Sequence, residues 1–382
     1  MLTAQDSVWM AQALRLAERG LYTTSPNPRV GCVLVRDGVV VGEGWHERAG
    51  EPHAEVLALR AAGEAARGST AYVTLEPCSH HGRTPPCAEA LIAAGITRVV
   101  VAVQDPNPQV AGQGIAKLRA AGIEVECGLM ETAAGELNVG FFARMTRCTP
   151  WLRSKIAMSL DGRTALSNGK SQWITGKAAR LDVQHWRARS CAVLTGIGTV
   201  LADDARLNVR EIKTERQPLR VVLDSRLSIP LDARVLYGSS KEALAPGGGA
   251  DWGSLRGDNA LIYTARHDKQ KIAVLHDLGV MVVVLPDDKE HVALRAMLHD
   301  LAQRGCNEVL VEAGSTLNGA LLRAGLVDEL LFYVAPHLLG DAARSVAQLG
   351  ELASLDQRVN LKWQDVRQIG NDLRITVKVE NV

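Results

Sequence analysis

The stretch that decides the fold of the first half of the chain is His53-Ala54-Glu55, followed by Pro77-Cys78 and then by Cys87. Imidazole and thiolate groups are donors with which proteins bind zinc, and three protein ligands leave one tetrahedral position open. A structural zinc site has four protein ligands, whereas three ligands with a carboxylate nearby are typical of a catalytic site. The pattern therefore predicts one zinc ion bound by His53, Cys78 and Cys87, with Glu55 as the proton-transferring group.

The spacing of the two cysteines distinguishes this motif from a common one. Zinc deaminases have His-x-Glu followed by Pro-Cys-x-x-Cys, but here residues 79–86 separate Cys78 from Cys87. Zinc lowers the pKa of a bound water from ~15.7 to about 7, and a glutamate can then accept the proton and deliver it to a leaving amine. The hypothesis is a hydrolytic deamination. His80 and His81, in the loop between the cysteines, fit substrate contact better than metal binding, since this loop already has two thiolates.

The composition describes a globular protein that acts on small molecules. Hydrophobic residues make up 47% of the 382 residues, a length that fits two domains. The net charge is +1 and aromatic residues amount to 4%, so neither a basic field nor a stacking surface would attract nucleic acid. A signal-peptide pattern and an apolar run of about 20 residues are both lacking, and we expect a cytoplasmic protein. The seven cysteines are scattered along the chain, which does not indicate a disulfide framework.

Helix-like and strand-like patterns alternate along both halves of the chain. Because Pro150 disfavours helix in the residue before it, the expected domains are residues 1–147 and 148–382. In the first, a three-layer α/β domain, we expect an N-terminal helix whose apolar face contains Trp9, Met10, Ala13, Leu14 and Ala17. Further helices are expected at 53–66, 86–94 and 112–122, and strands at 30–35, 39–41, 71–75, 99–103 and 123–127. In the second we expect a mostly parallel sheet, with strands at 152–158, 191–195, 219–223, 261–264, 280–285, 308–311, 329–334 and 373–379.

Two glycine-containing turns of the second half follow predicted strands. In residues 309–319 a strand ends in Glu312 and passes through Gly314 into a helix, where backbone amides could bind phosphate. The same residues would also make an ordinary helix cap, and both interpretations stay open. Residues 196–199, Gly-Ile-Gly-Thr, are a second candidate, but they lack the full G-x-G-x-x-G pattern of a dinucleotide-binding fold.

Several segments together resemble the bifunctional riboflavin-biosynthesis deaminase/reductase family. In the first half they are residues 24–31, 53–55 and 76–87, the last containing the long loop between the cysteines. In the second half they are residues 154–163, 171–175, 196–199, 203–210 and 311–319. The resemblance implies a cytidine-deaminase-like three-layer α/β/α domain and a dihydrofolate-reductase-like α/β domain that uses NADPH. It implies deamination of 2,5-diamino-6-(5-phosphoribosylamino)pyrimidin-4(3H)-one, then reduction of the ribosyl group of 5-amino-6-(5-phosphoribosylamino)uracil to ribityl.

The same resemblance gives individual residues expected roles. Asn27 and His46 would hold the pyrimidine, and His80 and Arg83 would lie beside the ribose phosphate. Lys155 would donate a proton as the ribose C1 accepts hydride. The expected NADPH contacts are Ala157, Trp173, Thr199, Asp203, Ser225, Gly314, Ser315, Thr316, Leu317, Asn318, Gly319 and Ala320. The expected substrate contacts are Ser171, Arg187, Leu207, Arg210 and Glu312, and the guanidinium forks of the two arginines suit a phosphate.

Other functions fit parts of the sequence. A nucleic-acid or nucleoside deaminase with an accessory nucleotide-binding domain would share the zinc motif, but the composition argues against the basic, aromatic surface that nucleic acid needs. A structural zinc module would need a fourth ligand and would have no use for Glu55. A reductase with an inactive deaminase half is disfavoured by the intact motif. The oligomeric state stays open, a homo-oligomer being one option, and the choice of NADPH over NADH depends on the resemblance alone.

Overall fold

The computed structural model describes residues 2–79, 86–108, 110–237 and 259–380. The chain divides into two compact units, Met1–Thr149 and Pro150–Val382, each with its own hydrophobic core. His80, His81 and Arg83, all given expected roles above, lie outside the described residues. Within the described ranges, no helix has the length and apolar character needed to span a membrane.

The first unit is built on one five-stranded sheet. Its helices are α1 (Ala4–Glu18), α2 (Ala54–Ala62), α3 (Cys87–Ala93), α4 (Gln113–Ala120), α5 (Glu131–Leu137) and α6 (Val139–Arg147). Its strands are β1 (Gly31–Arg36), β2 (Val39–Trp45), β3 (Thr70–Val73), β4 (Arg98–Val101) and β5 (Glu124–Cys127). The strand order is β2-β1-β3-β4-β5, in which β1 is antiparallel to both neighbours and the last three strands are parallel.

The close approach of α1 and α2 to strands of the sheet shows that the sheet is covered on both faces. A Cβ at Gly31 would lie 2.0 Å from the Ala13 carbonyl oxygen of α1, and a Cβ at Gly44 would lie 2.4 Å from the Ala54 carbonyl oxygen of α2. Gly44 pairs with Cys32, and neighbouring residues of a strand point to opposite faces. The two helices therefore pack on opposite faces, which gives the three layers predicted from the sequence.

The second unit is built on a nine-stranded sheet. Its helices are α7 (Lys177–Arg189), α8 (Ile197–Asp203), α9 (Lys269–Asp277), α10 (Leu294–Gln303) and α11 (Ser315–Arg323). Its strands are β6 (Trp151–Ser159), β7 (Arg163–Ala165), β8 (Ala192–Gly196), β9 (Leu219–Leu223), β10 (Ala260–Thr264), β11 (Met281–Val284), β12 (Glu308–Val311), β13 (Glu329–Ala335), β14 (Arg344–Ser345), β15 (Asn360–Ile369) and β16 (Asp372–Glu380). The order is β11-β10-β9-β8-β12-β6-β13-β16-β15, parallel from β11 to β13, with β16 and β15 antiparallel at the edge.

Every strand predicted from the sequence is present, most with ends shifted by only one or two residues. No positions were predicted from the sequence for the helices α5–α10 or for the strands β7, β14 and β15. Strand β15 is ten residues long, but most of its side chains are exposed. It therefore lacks the alternation of buried and exposed residues by which a strand is recognised.

Candidate active sites

The predicted zinc ligands converge at the starts of two helices in the first unit. His53 is the N-cap of α2, and Cys87 is the first residue of α3. Cys78 lies against the start of α3, because its sulfur accepts a hydrogen bond from the Cys87 N–H (3.3 Å) and its carbonyl oxygen accepts one from the Ala88 N–H (3.1 Å). Unpaired amides at a helix start favour the thiolate form of cysteine.

The three donor atoms are close enough to share one ion. His53 Nδ1 and the two sulfurs all lie within 4.8 Å of one another, and Nδ1 is 3.2 Å from Cys87 Sγ and 3.6 Å from Cys78 Sγ. Hydrogen bonds from the Cys87 and His53 side chains lower the pKa of Cys78, which favours its thiolate form. One nitrogen and two sulfur donors suit zinc, whereas calcium and magnesium prefer oxygen. The residues present fit a zinc ion.

Glu55 lies beside these ligands, in the first turn of α2. Only 3% of its surface is exposed. Burial disfavours the charged carboxylate and, with the Cys78 thiolate nearby, raises the pKa of Glu55 to about 7. Because His53 is an N-cap rather than a residue inside the helix, the two side chains converge although only one residue separates them in the chain.

Asn27 and His46, predicted to hold a pyrimidine, contact each other beside the cluster. Asn27 Nδ2 lies 3.0 Å from His46 Nε2, and His46 Nδ1 lies 3.2 Å from the Pro52 carbonyl oxygen. Because a carbonyl only accepts, Nδ1 carries the proton and Nε2 accepts from Asn27. Burial lowers the pKa of His46, which favours the neutral ring. Its centroid is 5.4 Å from that of the His53 ring, which brings both predicted residues to the metal ligands.

A cavity of about 1700 Å³ lies in the second unit, beside the ends of β8, β9 and β12. Small-molecule pockets usually have about 300–1,000 Å³, so this cavity has room for two ligands side by side. Its wall contains nearly all residues predicted for the reductase site: Lys155, Ala157, Ser171, Trp173, Arg187, Thr199, Asp203, Leu207, Arg210, Ser225, Glu312, Gly314, Ser315, Thr316, Leu317 and Ala320. Residues scattered over the sequence are thus brought to one place.

Asn318 and Gly319 are the exceptions, since neither belongs to the cavity wall. The buried Asn318 amide contacts Ser154 Oγ (3.1 Å) and the carbonyl oxygens of Ala313 and Val346 (3.3 and 3.2 Å). A Cβ at Gly319 would lie 2.2 Å from the Gln348 carbonyl oxygen. The predicted NADPH contacts of these two residues stay predictions. Successive residues of a helix point in different directions. These two residues therefore face the segment 346–348 and pack α11 against it, whereas their neighbours Leu317 and Ala320 face the cavity.

Three predicted residues form a buried charge cluster in the cavity wall. Glu312 accepts hydrogen bonds from Arg187 Nε (2.5 Å) and Nη2 (2.9 Å), and Lys155 Nζ lies 3.5 Å from Glu312 Oε2. Arg187 Nη1 donates to the Asn208 carbonyl oxygen (2.9 Å). Burial alone would raise the pKa of Glu312, but the two cations lower it to about 2. Arg187 thus already holds a carboxylate, and the guanidinium of Arg210 is the more exposed of the two.

Arg180 and Arg206 belong to the cavity wall, although the sequence did not single them out. The guanidinium of Arg180 lies 4.4 Å from the ring centre of Trp173, a side chain that is 66% exposed. Arg206 lies in the same wall, four residues before Arg210. No motif marks Arg180, because its proximity to Trp173 results from how the 171–175 segment and α7 fold. The pair of Arg180 and Trp173 is suited to bind a planar ring or an anionic group of a ligand.

The fold and the donor cluster define the first unit as a deaminase domain. The family described as the cytidine and deoxycytidylate deaminase zinc-binding region matches residues 3–103, and the family described as the RibD C-terminal domain matches residues 150–375. The riboflavin biosynthesis protein RibD of Escherichia coli is 47% identical over 97% of this chain and 98% of that protein. RibD of Haemophilus influenzae is 44% identical over 100% and 99%.

Solved structures agree over the full length. RibD of Acinetobacter baumannii, form 1, superposes with a TM-score of 0.88 at 48% identity, covering 99% of both chains. The diaminohydroxyphosphoribosylaminopyrimidine deaminase/5-amino-6-(5-phosphoribosylamino)uracil reductase of Thermotoga maritima gives 0.83 at 32% identity, covering 98% of this chain and 99% of that one. The chain belongs to the RibD family, whose members are bifunctional deaminase/reductases of riboflavin biosynthesis. The predicted family, fold class and enzyme type are confirmed.

Proposed function

We propose that His53, Cys78 and Cys87 bind the zinc of the deaminase domain and that Glu55 transfers protons there. The substrate would be 2,5-diamino-6-(5-phosphoribosylamino)pyrimidin-4(3H)-one. The observation that carries this proposal is the convergence of the three donor atoms within 4.8 Å, with the buried Glu55 in the first turn of the helix that His53 caps. Zinc bound there would supply Lewis-acid activation of a water molecule.

The protein groups around that cluster account for the remaining steps. Glu55 accepts a proton from the attacking water, whose oxygen bonds to the ring carbon that carries the 2-amino group. Glu55 delivers this proton to the ring nitrogen. It then takes the remaining proton of the added hydroxyl group and delivers it to the amine, so that a carbonyl forms, the carbon–nitrogen bond breaks and ammonia leaves. Asn27 and His46 orient the pyrimidine ring, because they lie hydrogen bonded to each other beside His53. Contacts of His80 and Arg83 with the ribose phosphate remain predictions.

Replacement of the proton-transferring group tests this assignment. Glu55→Gln keeps the size of the side chain but cannot accept a proton, and we expect the rate of ammonia release to fall by at least 100-fold, as for loss of a general base. Zinc content and NADPH oxidation with the deaminated product should stay at wild-type levels. Ammonia release at more than a tenth of the wild-type rate would exclude Glu55 as the proton carrier.

For the second unit, the proposed activity is reduction of the ribosyl group of 5-amino-6-(5-phosphoribosylamino)uracil to ribityl. NADPH bound in the cavity would supply the hydride. Ala157, Thr199, Asp203, Ser225 and the start of α11 are the proposed cofactor contacts, and Trp173 would cover the cofactor from the rim. Lys155 donates the proton that the ribose ring oxygen takes up as its bond to C1 breaks and C1 accepts the hydride. Its ammonium group faces the cavity and is oriented by Glu312, 3.5 Å away.

Ser171, Leu207 and Arg210 are the proposed contacts for the substrate of the reductase. Arg210 is the residue proposed to bind the phosphate, since its side chain is half-exposed. Arg187 and Glu312 would contact the substrate from the buried side of the cavity.

Loss of Lys155 should affect only this second reaction. Lys155→Ala is expected to slow NADPH oxidation by at least 100-fold, with little change in the dissociation constant for NADPH and none in ammonia release. Fluorescence titration of NADPH separates binding from chemistry. Wild-type turnover of NADPH by the variant would rule out Lys155 as the proton donor.

A further inference from the structure

Glu76, next to the Pro77-Cys78 ligand turn, makes an unusual set of contacts. The side chain is buried, with 4% exposure. Glu76 Oε2 accepts hydrogen bonds from the N–H groups of Gly112 (2.9 Å) and Asp105 (3.2 Å), and Oε1 accepts one from the N–H of Ile115 (3.1 Å). The carboxylate thus binds backbone amides at the start of α4 and in the loop before it. Three backbone N–H groups thus donate hydrogen bonds to this carboxylate, and none of these contacts is with a cation.

The backbone of Glu76 and Pro77 also contacts the end of β4 and helix α4. The Glu76 N–H donates to the Val103 carbonyl oxygen (3.0 Å), just beyond β4. In α4, a Cβ at Gly114 would lie 1.9 Å from the Pro77 carbonyl oxygen. Only glycine allows the helix to approach the ligand turn so closely. The residue preceding Cys78 in the chain is therefore held between α4 and the end of β4.

We infer that Glu76 is a positioning residue for the metal site, which holds the Cys78 sulfur where it can share an ion with His53 and Cys87. Cys78 is fixed on its other side by the start of α3, through the Cys87 and Ala88 N–H groups. The carboxylate of Glu76 acts on Cys78 only indirectly, because the contacts given above are all with backbone N–H groups. Groups that orient a ligand in this way typically change metal affinity by about 10- to 100-fold when they are removed. This inference rests on the zinc assignment proposed above.

Two variants alter the contact between the Glu76-Pro77 segment and α4, one from each side. Glu76→Gln keeps the size of the side chain but places an N–H₂ group where oxygen accepted backbone N–H bonds, and Gly114→Ala inserts a methyl group against Pro77. Zinc affinity, measured on the full chain by competition with a chromophoric chelator, should weaken about 10- to 100-fold in both. In the Co²⁺-substituted protein, the visible bands and the thiolate-to-cobalt absorption should shift or weaken, since Cys78 is displaced. NADPH oxidation by the same chain shows that the second unit is intact.

Matched controls separate positioning from general stability. Gly135→Ala adds a methyl group where no atom lies within 4 Å, and Asp6→Asn removes a buried carboxylate that contacts Arg98, Tyr72 and Thr3. Both should bind zinc as the wild type does, even where Asp6→Asn lowers thermal stability. Wild-type zinc affinity and cobalt spectra in Glu76→Gln and Gly114→Ala would overturn the inference, as would equal weakening in Asp6→Asn. Failure of the wild type to bind zinc would instead overturn the zinc assignment itself.

Discussion

At the scale of single residues, the pairing of Arg187 with Glu312 changes what the sequence implied about the reductase cavity. Arginine is the residue expected to bind a phosphate, yet Arg187 donates two hydrogen bonds to Glu312 and one to the Asn208 carbonyl oxygen. The carboxylate stays ionised because Arg187 and Lys155 lower the pKa of Glu312 to about 2 despite burial. Arg187 is therefore needed to keep Glu312 in place, whatever it also does for the substrate.

Removal of this guanidinium should be costly. Arg187→Met leaves a buried carboxylate with Lys155 as its remaining cation, and we expect the free energy of unfolding of the second unit to fall by about 3–5 kcal/mol. Urea unfolding monitored by hydrogen exchange in β8 and β12 would measure it. Arg367→Met, which breaks an exposed pair with Asp365, should cost less than about 1 kcal/mol. The double variant Arg187→Met/Glu312→Leu should be less destabilised than Arg187→Met; equal destabilisation would contradict a dominant role for the pair.

At the scale of secondary-structure elements, one carboxylate ties α1 to the sheet of the first unit. Asp6 forms a capping box with Thr3 at the start of α1. It also accepts hydrogen bonds from Tyr72 in β3 (2.6 Å) and from Arg98 in β4 (2.7 Å). The Arg98 guanidinium, with help from Tyr72 and Thr3, holds the pKa of Asp6 well below its usual range. Folding therefore favours the charged form of Asp6.

The sign of the resulting pH dependence follows from this lowered pKa. The stability contributed by Asp6 is fully present above about pH 4, the pKa in the unfolded chain, and is lost as the pH falls toward the lower pKa of the folded state. Asp6→Asn should lower the free energy of unfolding of the first unit by about 2 kcal/mol or more at pH 7. The difference from wild type should shrink between about pH 4 and pH 2, and a difference independent of pH would show that charge is not the cause. Denaturant unfolding at several pH values measures it.

Local patterns predicted the elements whose side chains alternate between core and solvent, and they failed for β15, which has no consistently buried face. The cluster of His53, Cys78 and Cys87 could be predicted because the residue types and spacing are informative by themselves. The roles of Glu76 and Arg187 could not, since nothing local connects Glu76 with Gly112 or Arg187 with Glu312. Those contacts exist only after α4 and β12 have packed, so tertiary structure is the sole source of the information.

At the scale of the whole molecule, each candidate site belongs to one unit. The proposed zinc ligands and Glu55 all lie in Met1–Thr149, and all residues lining the large cavity lie in Pro150–Val382. The hydrophobic clusters of the described residues are divided in the same way, with no cluster shared between the units. Each unit therefore has its own core as well as its own chemistry, which predicts that a ligand of one site stabilises one unit only.

Zinc removal tests this division. A ligand that binds only the folded state at about 1,000 times its dissociation constant contributes about 4.1 kcal/mol, so chelation should lower the unfolding temperature of the first unit by roughly 10 °C. In calorimetry, zinc should raise the unfolding temperature of the first unit, and NADPH should raise that of the second. Ammonia release should disappear with chelation and return with zinc, while NADPH oxidation with the deaminated product stays unchanged. A single transition raised by both ligands, or loss of both activities on chelation, would mean that the two units do not function independently.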